Sequence, residues 1–135
     1  MRRFETICVS IERPYDEVYE FLATPENLFT WASVLGTRYH AVTPLEWVVE
    51  EPAHAASPIT LRFTPRNPYG VLDITTLIAG KVVYETPARL LRQDHGAVIV
   101  LSLLQREADT DEAFQSELEW TKSDLLTVKT LLESA

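Results

Sequence analysis

Apolar and polar residues alternate along this chain first with a period of two, then at helical spacing, then with a period of two again. From Arg3 to Ile11, the residues Ile7, Val9 and Ile11 alternate with Thr6, Cys8 and Ser10, which predicts a strand with one apolar face. Pro14 follows, where a first helical turn tolerates a missing N–H. Tyr15, Val18, Tyr19 and Leu22 then fall at helical spacing, so a short helix is expected to about Ala23. Thr24 as a cap and Pro25 in the first turn begin a second short helix, with Leu28 and Trp31 on one face.

After Gly36 the strand pattern returns in "TRYHAV", "EWVVEE", "ITLRFTP", "GVLDITTLI", "KVVYE", "ARLLRQ" and "AVIVLSLLQ". Turn residues separate these runs so closely that antiparallel neighbours are predicted, not strand–helix–strand crossovers. "TPARLL" reads as one strand interrupted by a bulge at Thr86-Pro87, since proline cannot donate into a ladder. Asp109 or Thr110 then caps a long helix with Asp111 and Glu112 in its first turn. Phe114, Leu118, Thr121, Leu125, Val128 and Leu132 form its apolar stripe. The expectation is an α+β fold, about seven antiparallel strands laid against a long C-terminal helix, as a single domain over residues 1–135.

Composition narrows the chemistry. The 135 residues are 46% hydrophobic, enough for a real core, and the formal net charge is −8. Such a surface repels phosphate backbones, so nucleic acid is not an expected partner. No stretch reaches the roughly 18 apolar residues of a membrane span, and no leader is evident, so a cytoplasmic protein without membrane insertion is expected. Cys8 is the single cysteine and excludes an internal disulfide. There is no G-x-S-x-G elbow, phosphate-binding loop or dinucleotide glycine pattern, and no cofactor is expected.

The element order, together with "VSIERPYDEVYEFLATPENLFTWAS", "NPYGVLD" and "DEAFQSELEWTKSDLLTVKTLLE", resembles the START-related, pollen-allergen-like superfamily (SRPBCC), in particular a bacterial polyketide cyclase-like subgroup. The resemblance implies a helix-grip fold, in which the sheet curves around the last helix and leaves a cavity for a small, largely apolar molecule. Members bind lipids, sterols and hormones, cyclise polyketides, serve ring-hydroxylating oxygenases or assist chaperones. The oxygenase role needs an iron-ligand set at helix spacing. His40, His54 and His95 lie on a strand, in a loop and in a turn, so no metal site is expected.

Asp73 is an acid inside the strand-like apolar run "GVLDITTLI". If Asn67-Pro68-Tyr69-Gly70 forms a type I turn with Gly70 left-handed, an adjoining bulge pairs Phe63 with Thr75 and Pro65 with Asp73. Asp73 and Thr75 then share the inner face with Leu61 and Phe63. Shifted by one residue, Asp73 joins Arg62 and Arg66 outside. The bulged register is preferred. It makes Asp73 and Thr75 the polar end of an apolar cavity lined by Trp31, Leu61, Phe63, Tyr84, Leu118 and Leu125.

Three functions follow as expectations. The first is a non-catalytic binding protein for a lipid-, sterol- or polyketide-like molecule. The second is a cofactor-independent cyclase or hydro-lyase with Asp73 as acid or base. The third is an interaction module with a collapsed cavity.

Overall fold

The computed structural model describes residues 2–53 and 55–134; His54 lies outside the described residues. Strand β1 (Phe4–Ile11) leads to helices α1 (Tyr15–Ala23) and α2 (Pro25–Trp31). Seven further strands follow: β2 (Tyr39–Thr43), β3 (Glu46–Val49), β4 (Ile59–Phe63), β5 (Ile74–Ile78), β6 (Lys81–Thr86), β7 (Ala88–Gln93) and β8 (Gly96–Leu104). Helix α3 (Asp111–Glu133) closes the order. The architecture is α+β with antiparallel pairing throughout, two short helices after the first strand and a long C-terminal helix.

Local rules explain most boundaries. Thr110 accepts a hydrogen bond from the Ala113 N–H at 3.1 Å, so α3 begins on a side-chain cap with Asp111 and Glu112 in its first turn. Pro25 occupies the first turn of α2, but Thr24 does not cap it: its hydroxyl donates back to the Glu20 carbonyl at 2.7 Å. In β8 the residues Ala97, Ile99, Leu101 and Leu103 are buried and their neighbours are not, the period of two expected of a strand with one covered face.

The strands form two sheets, ordered β1-β8-β7 and β2-β3-β4-β5-β6, where about seven strands in one sheet were expected. The break falls at Pro87, between β6 and β7. What reads as one bulged strand in "TPARLL" is therefore two strands in different sheets. On the other side of the junction, Val71 bridges Arg89, and the Leu72 N–H donates to the Ala88 carbonyl at 2.9 Å. Residues 70–72 thus lie along β7, and the chain then turns into β5 to pair with β4 and β6.

The β4–β5 register differs from the preferred one. Phe63 lies opposite Ile74, Arg62 opposite Thr75 and Leu61 opposite Thr76. Ile74 and Thr76 occupy the face with Leu61 and Phe63, whereas Thr75 faces outward with Arg62 and Asp73 is exposed. The reason is Asn67. Gly70 is left-handed as the turn requires, with φ of 70°. However, the Asn67 carboxamide oxygen accepts from the Tyr69 and Val71 N–H groups, and its NH₂ donates to the Pro65 and Val71 carbonyls. These side-chain bonds take the place of a bulged ladder, and regular pairing stops at Phe63 and Ile74.

Two apolar clusters fill the interior. The larger joins β1, β7 and β8 to α1 and α3 through residues such as Ile11, Val18, Leu90, Phe114 and Leu125. The smaller joins α2 to β3 and β4 through Leu28, Trp47, Val49, Leu61 and Phe63. Trp31, at the end of α2, packs against both.

Candidate functional site

Between the sheets and α3 lies a void of about 40 Å³, with Leu22 and Trp31 from the short helices, Phe63, Ile74 and Thr86 from the strands, and Leu125 from α3 in its wall. None of its eleven described lining residues carries a titratable side chain. The volume holds a few water molecules at most. Pockets for small organic ligands run from about 300 to 1,000 Å³.

Outside it, between α2 and α3, opens a cleft of about 740 Å³. Trp31, Ser33, Glu119, Trp120 and Asp124 are among its lining residues. Trp31 lines both spaces, and Asp124 and Leu125, neighbours on α3, line the cleft and the void respectively. Trp31 is the described residue common to both linings.

Asp124 is 8% exposed and is the charged residue among the buried side chains described. Its Oδ2 accepts from the Ser33 N–H at 3.1 Å and from the Ser33 hydroxyl at 3.2 Å, which ties α3 to the end of α2. Burial pushes its carboxyl above the usual carboxylate range, and the two Ser33 bonds work against that rise. The folded chain therefore keeps this proton to higher pH than the unfolded chain. The stability linked to it is complete below the unfolded value of about 3.9 and is lost as pH rises through the folded value. Asp124→Asn abolishes that loss while retaining an acceptor for Ser33. Urea unfolding should find variant and wild type close at pH 3, with the variant gaining as pH rises from about 4 through the folded value and keeping that gain above it; a constant difference from pH 3 upward would contradict the burial.

The residues singled out in the sequence are dispersed. Trp31, Phe63 and Leu125 meet at the void. Leu61 is buried among the smaller cluster, and Leu118 packs at the edge of the larger. The Tyr84 hydroxyl donates to Glu117 on α3 at 2.8 Å, with the Arg106 guanidinium 4.6 Å from its ring centre. Burial, then the Glu117 bond, pushes this phenol well above its ordinary value. Tyr84 thus fastens β6 to α3.

Asp73 has a different task. Its Oδ1 accepts the Ala88 N–H at 2.8 Å and its carbonyl accepts the Thr64 hydroxyl at 2.6 Å. It sits where the chain leaves β7 for β5, and its carboxylate bonds the first residue of β7. Asp73→Ala is expected to lower stability by about 1–2 kcal/mol and Asp73→Asn by less, measured by urea unfolding. Among the described residues no three His, Cys, Asp or Glu side chains gather where they can hold a metal ion. No described helix is long and apolar enough to cross a membrane.

Asp124 and Ser33 were not among the residues singled out. The signal for Asp124 was present, because it lies three residues after Thr121 and four before Val128, on the flank of the apolar stripe.

Solved structures share this arrangement. A protein from Bacillus thuringiensis superposes with a TM-score of 0.73 at 12% identity, covering 96% of this chain and 98% of its own. Ara h 8.0201 matches over 100% of both chains with a TM-score of 0.69 at 10% identity. The likeness is one of fold. The Aha1 dimer from Colwellia psychrerythraea extends it, with a TM-score of 0.67 at 12% identity over 94% of this chain and 93% of that one. No family model and no curated protein matches the sequence.

Proposed function

We propose that the protein binds a small, largely apolar molecule between its sheets and α3, the molecule displacing Trp31 to reach the interior. The observation that carries this reading is the position of Trp31 in the wall of both the open cleft and the apolar void. The reading requires that side chain to move aside and join the two spaces. The resemblance to lipid-, sterol- and polyketide-binding proteins of the helix-grip kind supports the same reading. The void walls suit carriage better than catalysis, because acid–base chemistry needs a titratable group beside the reacting atom. Asp73, the candidate acid, is exposed and occupied with Ala88.

A second reading, an interaction module with a closed interior, is favoured by the void's volume of about 40 Å³. Native mass spectrometry of freshly purified protein, beside the denatured mass, separates the two. An extra mass that disappears on denaturation is expected. No extra mass, followed by no amide shifts on titration with apolar metabolites, would leave the interaction module.

A further inference from the structure

We propose that the cleft between α2 and α3 is a binding site for a small primary amine carried on a flat apolar body. This goes beyond the apolar void and does not require it to open. The anchor is Asp124. Ser33 engages only Oδ2, and Oδ1 accepts no hydrogen bond among the described residues. No fully buried side-chain oxygen among those residues lacks a partner, so Oδ1 keeps some contact with solvent, and Asp124 is a lining residue of the cleft. A carboxylate held rigidly by one oxygen, with the other presented to a cleft, suits a charge-assisted N–H donor.

The remaining lining selects the sign of charge and the shape. Glu119 also lines the cleft, and no Lys, Arg or His does so among the described residues. With a net charge of −8 behind it, the cleft attracts a cation and repels an anion. Trp31 and Trp120 are among the lining residues, and the Trp31 ring suits an ammonium group on a flat apolar body.

An ammonium carries three donors, and Oδ1 answers one. The Thr30 and Thr127 hydroxyls already donate to the Asn27 and Ser123 carbonyls, and both residues line the cleft, so their oxygens keep lone pairs able to accept the others. A quaternary ammonium has no N–H for any of these acceptors, so a primary amine is the better fit.

The test uses three probes of one size: 2-phenylethylamine, 2-phenylethanol and phenylacetate, titrated separately into the full chain and followed by amide and indole N–H shifts. The amine is expected to bind about tenfold more tightly than the alcohol, a charge-assisted hydrogen bond's difference, with the acetate weakest. The shifts should centre on Ser33 and the Trp31 and Trp120 indoles. Asp124→Asn should bring amine and alcohol within about threefold, although it changes the net charge by only one. Equal binding of amine and alcohol by the wild type, or shifts centred elsewhere, overturns the proposal even if the variant does not fold. Failure of the void to carry a ligand would be read separately, from the native mass.

Discussion

Gly70→Ala is expected to remove about 4 kcal/mol of stability, a large share of the 5–15 kcal/mol typical of a domain. Two effects add. Gly70 has φ of 70°, where an L-side chain costs about 1–2 kcal/mol. A Cβ there would also run into the Leu90 carbonyl oxygen and come within 2.7 Å of the Tyr15 hydroxyl. The Leu90 oxygen is backbone, and β7 cannot retreat, because the Leu90 N–H donates to the Gly70 carbonyl at 2.8 Å. Gly80 is the internal control. Its φ is 77°, yet a Cβ there meets nothing within 4 Å, so Gly80→Ala should cost only about 1 kcal/mol. Urea midpoints of the two variants therefore isolate the close approach of residues 70–72 to β7. If the two costs were equal, the junction between the sheets would not be packed as described.

That junction also marks where sequence reading stopped working. The capped start of α3, the alternation in β1 and the two proline-started helices are local patterns and were legible residue by residue. The β4–β5 register is a competition between two partners for the same N–H groups, a bulged ladder or the Asn67 carboxamide. Both satisfy the turn equally on paper, and a slip of one residue moves Asp73 from the inner face to the outer. The split into two sheets was hidden for a related reason. Proline at position 87 is compatible with a bulge and with a change of partner strand, and the pairing of residues 70–72 with β7 distinguishes them. Of the site, Phe63 and Leu125 were legible because a stripe or an alternation placed them inward. Asp124 has the same spacing signal, but as an acid on a helix flank it reads equally well as solvated surface. The size of the void is a small difference between large packed volumes, and no pattern of residue types encodes it.

Trp31→Ala is expected to cost about 2–3 kcal/mol and to turn the closed interior into a binding pocket. The cost is set below the range of about 3–5 kcal/mol for a fully buried tryptophan because Trp31 is half-buried and its cleft side already meets water. The pocket follows from the position of the indole. Removing it joins the void to the cleft, and the side chains left around the gap, among them Leu28, Phe63 and Leu125, are apolar. Free indole should occupy the gap and return what the substitution removed, since it matches the missing group and covers apolar walls that would otherwise meet water. At an indole concentration about 100 times its Kd, linkage predicts a recovery of about 2.7 kcal/mol, close to the whole loss. The wild type should gain far less, because its own indole fills the space. Thermal unfolding of both proteins with and without indole measures the difference. Recovery in the variant alone would make Trp31 the barrier a ligand must displace. No recovery would mean that α2 collapses onto α3 when the indole is gone, and the interior would then be a closed core serving an interaction surface.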